Sequence, residues 1–475
     1  MIKTKIVATL GPQLRNKKTL KNLVDAGLDV ARVNFSHGNY KEHGESIDKL
    51  REVNKDVAIM MDTQGPEIRV GYFDGEIHLK KGMMVKLKKR IDRNIKDQKK
   101  TKVIPISNES FFEKIGKGDE ILLDDGAMKL VVTSDQKDFE AKVVEEGFLS
   151  SRKSVNVPDK NLDLTSPTEK DKKDIEFGVK KDVDFVAASF IENADEIARI
   201  KEILDGYDSN IKIIAKIENS KAVDNIDEII DVSDGVMVAR GDLGVELAPS
   251  DVPLIQKEII RKCNVQGKPV IIATQMLKSM TESIRPTRAE ASDVANAVLD
   301  GADAVMLSEE TATGRYPVES LRFLSAVIKK VEKTLTKSVH HTIKKRSSDV
   351  TDTICKNVWQ ACRELDIDYI LVHTSSGSTA VNVSKYRPAE EIIAFTNSKK
   401  VKRQLKMVWG VQPYYIEFKE HFHDLIRDTT SYLKKKGRLT GEELLVITAG
   451  VPNTAEGITN LIEVRKADDI LSQKK

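Results

Sequence analysis

The sequence predicts an α/β protein built on a closed (β/α)8 barrel, with a small β-barrel lid domain inserted into it and a second α/β domain after it. Three observations carry that expectation. Eight short apolar runs are spaced by helix-length segments, one long interruption separates the third run from the fourth, and strands and helices alternate again beyond a polar, basic tract near residue 340. The chain has 475 residues, too many for one hydrophobic core, so two or three domains are expected.

The eight runs are Lys5–Leu10, Val30–Phe35, Val57–Met61, Phe185–Ser189, Ile211–Ile217, Gly235–Ala239, Val270–Thr274 and Ala304–Leu307. Continuous apolar runs of this length suit parallel strands buried on both faces. Eight such units, each followed by a helical segment, suggest a closed TIM barrel over 1–69 and 166–336. Ser166-Pro167-Thr168-Glu169 and Thr287-Arg288-Ala289-Glu290 read as helix-opening capping boxes, the first with proline at the first helical position. Ile197, Ile200, Ile203 and Leu204 share one helical face that should pack on the barrel. Residues 70–165 are rich in alternating patterns and turn signals such as Asp74-Gly75, Gly116-Lys117-Gly118 and Asp125-Gly126, with little helical pattern. They form the inserted β domain, a lid over the rim where strands end. Residues 337–349 read as a linker. From 350 to 475 an α/β domain carries strands at Tyr369–His373, Glu391–Thr396 and Glu443–Thr448.

Composition excludes several classes. Apolar residues make up 40% and charged residues 32%, which is the profile of a packed globular protein. Net charge is +3 from 77 basic and 74 acidic residues, so no global field argues for nucleic acid, and Lys86–Arg90 reads as a solvated face. No segment is apolar enough to span a bilayer, and the start leads directly into a strand, so a cytoplasmic protein is expected. Cys263, Cys355 and Cys362 lack metal-ligand spacing and suit buried thiols in a reducing compartment.

Polar residues gather where the strands end: Arg32, Asn34, Ser36 and His37, then Asp62 and Thr63, Lys216 and Glu218, Arg240 and Asp242, Thr274, and Ser308. Catalytic groups of such barrels lie at that rim. Glu218 and Asp242 offer hard oxygen ligands with no histidine or cysteine beside them, a set suited to Mg2+ or Mn2+. They read equally as carboxylates salt-bridged to Lys216 and Arg240, and their shared rim favours the metal. Lys216, two residues before one of these acids, is placed to stabilise a transferring phosphoryl group. The amides of Arg240-Gly241-Asp242-Leu243-Gly244 suit a small carboxylate, or form an ordinary glycine turn. Asn34, Ser36, Asp62 and Thr63 supply oxygens for a second cation or, for Asn34-Phe35-Ser36, local capping.

The same stretches resemble the pyruvate kinase family. The motifs are Val33-Asn34-Phe35-Ser36-His37-Gly38, Asp62-Thr63-Gln64-Gly65-Pro66-Glu67-Ile68-Arg69, Lys216-Ile217-Glu218-Asn219, Met237-Val238-Ala239-Arg240-Gly241-Asp242-Leu243-Gly244, Ala273-Thr274-Gln275-Met276-Leu277 and Arg285-Pro286-Thr287-Arg288-Ala289-Glu290. They occur in family order along essentially the whole chain. The resemblance implies phosphoryl transfer from phosphoenolpyruvate to ADP, giving pyruvate and ATP, with Mg2+ and usually K+. It implies Glu218 and Asp242 as magnesium ligands, Lys216 as the phosphoryl stabiliser and Arg32 as a phosphoryl contact. Gly241, Asp242 and Thr274 would hold the substrate carboxylate. Asn34, Ser36, Asp62 and Thr63 would form the potassium site, and Asn34, His37, Arg69 and Lys153 the nucleotide side. Thr274 and Ser308 would orient a water that protonates the enolate. Glu67 stands where the family's potassium dependence is marked by an acid. A homotetramer is implied as well.

Some residues depart from the family pattern: Gln64 for lysine, Val70 for threonine, Glu309 for glycine after Ser308, and Ser154 and Asp159 for glycines near the lid's return. Thr374-Ser375-Ser376-Gly377-Ser378-Thr379 follows a strand and precedes a helical segment, which suits either a phosphate or a simple cap. It resembles the family's effector loop, implying activation by a sugar phosphate or nucleotide. Two other classes compete: a metal or Schiff-base barrel lyase or aldolase acting on pyruvate enolate, and a catalytically silent metabolite-binding regulator.

Overall fold

The computed structural model describes residues 2–11, 16–89, 103–106, 108–134, 139–158, 160, 162, 164–335, 349–450 and 458–472. Asp159 and nearly all of the expected linker at 337–349 lie outside them.

Eight parallel strands close into a barrel: Lys5–Thr9, Val30–Asn34, Ala58–Asp62, Phe185–Ala188, Lys212–Ile217, Gly235–Ala239, Val270–Ala273 and Ala304–Leu307. Each lies within a residue or so of the apolar run that predicted it. Closure comes from the first strand, which pairs with the second through Thr9 and Arg32 and with the eighth through Lys5 and Ala304. Helices cover the outside; in Ala194–Asp205, Ile197, Ile200 and Leu204 are buried as expected. Thr287 opens Arg288–Asp300 with the expected capping box through Glu290. The other box is displaced: Thr168, not Ser166, caps Glu169–Lys180, with Asp171 as its reciprocal partner, and Pro167 precedes the cap. Aspartate, one methylene shorter than glutamate, fills the third helical position.

The inserted segment has its own core, including Ile77, Phe111, Leu123, Leu130 and Val143. Among the described residues it forms a six-stranded sheet and a two-stranded sheet, the latter pairing Glu76–Leu79 with Gly147–Ser150. It also holds a short helix, Glu109–Lys114, capped by Asn108, that the alternating pattern concealed. Lys86, expected on a solvated face, belongs to the strand Met84–Lys88, where Val85 and Leu87 are buried between the lysines.

The C-terminal sheet has the order Val411–Tyr415, Glu391–Thr396, Tyr369–His373, Leu444–Ala449, Leu461–Lys466, with the last strand antiparallel. Its first and last strands were not expected: Pro413 and the half-exposed pattern of Leu461–Lys466 weaken the signal. This domain packs against the end where the barrel strands begin. Asp184, just before the fourth strand, receives Arg403 at 2.7 Å and Arg51 at 3.0 Å. Asp303, before the eighth, receives Arg387 at 2.9 Å and the Trp409 amide at 3.2 Å. Lys5, 2% exposed, donates to the Val411 carbonyl at 2.7 Å. Met407 enters the barrel itself, packed with Val7, Met60, Phe185, Met237 and Met306.

The barrel floor is therefore completed by a side chain of the last domain. Met407→Ala is expected to destabilise by about 2–5 kcal/mol, the usual range for emptying a buried methionine site. The measurement is calorimetric unfolding; an unchanged profile would show that the floor does not depend on this plug.

Candidate active site

Lys216 is the next-to-last residue of the fifth strand and is buried. Three oxygens surround it: Ser189 Oγ at 2.6 Å, Glu218 Oε1 at 2.8 Å and Asp62 Oδ1 at 3.1 Å. Burial opposes its charge, but Asp62, Glu218 and Asp242 outweigh that opposition and hold its pKa above the ordinary lysine value. Asp62 is likewise penalised by burial, yet Arg32 and Lys216 more than offset the penalty and keep it below the usual carboxylate range. Arg32 Nε lies 2.6 Å from Asp62 Oδ2, and its Nη1 donates to Thr9 Oγ1 at 3.0 Å.

Glu218 is pushed up by burial, with Asp242 adding to the rise against the pull of Lys216. Asp242 is raised for the same first reason, with Asp125 and Glu67 contributing. Each carboxyl group lies in the other's field, and the Phe190 amide donates to Glu218 Oε2 at 2.6 Å. Two hard, crowded carboxylates that resist ionising together fit a divalent cation between them. Among the described residues no group of three His, Cys, Asp or Glu side chains could hold a metal. A Mg2+ here would take its remaining ligands from substrate oxygens and water, its usual habit.

The expected glycine turn is instead the first turn of a helix, Arg240–Glu246, whose first amides have no partner within the helix. Gly241 N donates to Thr274 Oγ1 at 2.8 Å. Thr274 and Gln275 both have left-handed backbones, φ +66 and +56. Arg240 turns away from the carboxylates and secures that loop, donating to the Thr274 carbonyl at 2.7 Å while pairing with Asp293 at 2.8 Å. Ser308 Oγ is buried with no hydrogen-bond partner. Glu309 does not crowd it: its carboxylate is exposed and paired with Lys278.

A cavity of about 450 Å3 opens between rim and lid. Arg32, Lys216, Glu218 and Asp242 line it, as do Asn34, Ser36, His37, Arg69 and Lys153. Thr274, Gly241, Ser308, Asp62 and Thr63 are not among the lining residues, so the structure does not bring the whole expected set to one surface. Asn34 and Asp62 are register partners on adjacent strands, and Asn34 Oδ1 accepts the Ser36 amide at 3.0 Å. Asp62, expected as a cation ligand, here serves Arg32 and Lys216. Arg69 pairs with Glu67 at 2.5 Å, and Lys153 with Asp124 at 2.7 Å. Both cations sit on the lid's hinge, where the outgoing and returning chains pair: Val70 N donates to the Lys153 carbonyl and Val155 N to that of Ile68. Ser154 binds Asp125 at 2.6 Å, and Val70 is buried in the hinge. Gln64 faces the cavity.

Thr374–Thr379 lies far along the chain, in the last domain. Gly377, φ +89, donates to Thr374 Oγ1 at 3.0 Å, and Ser375 and Ser376 are exposed. Ser189, Phe190, Arg240 as a loop tie and Asp124 were not singled out from sequence. Ser189 closes the predicted run Phe185–Ser189 and lies just past the observed strand Phe185–Ala188, a rim position that would have found it.

A model described as "Pyruvate kinase, barrel domain" matches residues 1–321, and one described as "Pyruvate kinase, alpha/beta domain" matches residues 352–465. The chain is 42% identical over 479 residues to the pyruvate kinase of Staphylococcus aureus (strain MRSA252), covering 99% of this chain and 81% of the relative. It is 42% identical over 486 residues to that of Sporosarcina psychrophila, covering 100% and 82%. Its structure is similar to a crystal structure of a pyruvate kinase from Cryptosporidium parvum, with TM-score 0.91, 36% identity and 98% and 96% coverage.

Arg240→Ala removes the charged donor that holds two left-handed residues. A loss of about 2 kcal/mol is expected, with faster amide exchange confined to residues 273–276. Unaltered exchange there would show that the guanidinium does not secure the loop.

Proposed function

The chain belongs to the pyruvate kinase family, and from that premise we propose that it transfers the phosphoryl group of phosphoenolpyruvate to ADP in the last step of glycolysis, in the cytoplasm. One observation carries the assignment of roles: a charged Lys216 clamped beside the Glu218–Asp242 pair, all facing the cavity under the lid. Arg32 and Lys216 receive the phosphoryl oxygens. The first amides of Arg240–Glu246, at Gly241 and Asp242, together with the Thr274 hydroxyl, receive the carboxylate, the Gly241 amide exchanging Thr274 Oγ1 for it. Arg69 and Lys153 exchange Glu67 and Asp124 for the phosphates of ADP, with Asn34 and His37 beside them. The enol C–O–P linkage breaks at phosphorus, its electron pair staying on the enolate oxygen, while a terminal ADP oxygen forms the new bond. Lys216 and Arg32 offset the charge that redistributes. Thr274 and Ser308 orient the water that protonates the enolate carbon.

Bound at Glu218 and Asp242, Mg2+ or Mn2+ would offset negative charge on the phosphoryl and enolate oxygens. The oxygens of Asn34, Ser36, Asp62 and Thr63 support a K+ site, and Glu67 supports dependence on that ion. A homotetramer belongs to the same reading; exposed Leu254 and Ile284 leave apolar surface for subunit contacts. So does a phosphorylated activator at Thr374–Thr379. A Schiff-base lyase needs a neutral amine, and the carboxylates around Lys216 hold it charged.

The direct test is a coupled assay of ADP-dependent pyruvate formation. Activity is expected only with Mg2+ or Mn2+, to rise when K+ replaces its absence, and to saturate at lower phosphoenolpyruvate when fructose 1,6-bisphosphate, ribose 5-phosphate or AMP supplies the activator. Activity indifferent to K+ would remove the role of Glu67, and curves unmoved by all three phosphates would remove the effector site.

Lys216→Ala is expected to lower kcat about a hundredfold, the usual loss for one preorganised stabiliser, with little change in KM. Turnover near wild type in the same assay would overturn the role given to this lysine.

A further inference from the structure

An ammonium has three N–H bonds, and those of Lys216 reach Ser189, Glu218 and Asp62. The partners differ in kind. Glu218 faces the cavity beside Asp242, and Asp62 is shared with Arg32. Ser189 Oγ is the nearest of the three and the only neutral one.

Ser189 is itself fixed. It is 1% exposed, its amide donates to Thr63 Oγ1 at 3.2 Å, and its hydroxyl donates to the Thr63 carbonyl at 2.7 Å. Gly65, φ +69, packs so closely that a Cβ there would lie 2.9 Å from Ser189 Cβ. The next residue, Phe190, has φ +54 and places its amide on Glu218. One turn after the fourth strand therefore directs both the lysine and the neighbouring acid.

We propose that Ser189 is a positioning residue for phosphoryl transfer, aiming the Lys216 ammonium through its hydroxyl oxygen so that the N–H now on Glu218 can pass to the substrate phosphoryl group. A carboxylate in its place would orient the ammonium equally well but neutralise it. A neutral acceptor fixes the direction and leaves the positive charge for an anionic substrate. The proposal rests on the phosphoryl-transfer reading above.

The test measures kcat and KM for phosphoenolpyruvate in Ser189→Ala, Ser189→Cys, Lys216→Ala and the Ser189→Ala/Lys216→Ala pair, alongside thermal unfolding. Loss of one hydrogen bond to a charged group is expected to lower kcat roughly 10–100-fold in Ser189→Ala, with KM changed by less than about threefold. Ser189→Cys keeps the volume but only a weak acceptor, so it is expected to melt like wild type and lose a similar share of turnover. In the Lys216→Ala background, Ser189→Ala is expected to cost less than about twofold more, because coupled residues are not additive. A kcat within about twofold of wild type in either Ser189 variant, or an undiminished loss without Lys216, would overturn the proposal. Wild-type enzyme lacking ADP-dependent pyruvate formation would instead overturn the reading beneath it.

Discussion

The rim is organised by a charge imbalance held out of water. Two cations, Arg32 and Lys216, face three carboxylates, Asp62, Glu218 and Asp242, within one connected set. Asp62 is satisfied, held between both cations and depressed in pKa although burial works against it. Glu218 keeps Lys216 and the Phe190 amide as partners, yet it and Asp242 are each raised by burial and by other acids. On the proposed reading, a dication held by Glu218 and Asp242 would offset that surplus and leave both basic side chains for a phosphoryl group. Negative charge held out of water in this way is costly without a counter-cation.

The fourth strand, only four residues long, joins this rim to the opposite end of the molecule. Its foot is Asp184, gripped by Arg51 and by Arg403 of the last domain, and its head is the Ser189–Phe190 turn that meets Lys216 and Glu218. Arg403 lies on the helix Lys399–Gln404, and the next turn, Leu405–Met407, delivers Met407 into the barrel. Gly377, in the Thr374–Thr379 loop, packs against Val401 and Leu405 of these same elements. The last domain is thus built into the barrel's floor, and the contacts between them are buried ones that tolerate little slack.

The barrel was legible because its strands are buried on both faces, so continuous apolar runs marked them without ambiguity, and rim position marked Lys216, Glu218 and Asp242. Half-exposed strands gave weaker signals: Leu461–Lys466 carries charged residues through its length, and Val411–Tyr415 contains proline. Arg240 shows the limit for sites. Its place after a strand suggested a role at the rim, but only tertiary geometry reveals that it folds back onto Asp293 and the Thr274 carbonyl. Lys5 and Met407 were silent for a related reason: a lysine opening a strand and a methionine after a helix look ordinary until another domain covers them.

The hinge repeats the logic of the rim with surface chemistry. Arg69 and Lys153 each carry an acid partner supplied by the chain itself, Glu67 and Asp124, and both cations remain partly exposed at the cavity wall. Such pairs contribute little to stability, on the order of 0–1 kcal/mol, so on the proposed reading a polyphosphate bearing several charges would displace the carboxylates at small cost whereas a singly charged anion would gain little by doing so. The two cations lie on adjacent paired segments of the lid's stem, with Arg69 bridged to Ser154, so the partners they hold and the geometry of the stem are linked.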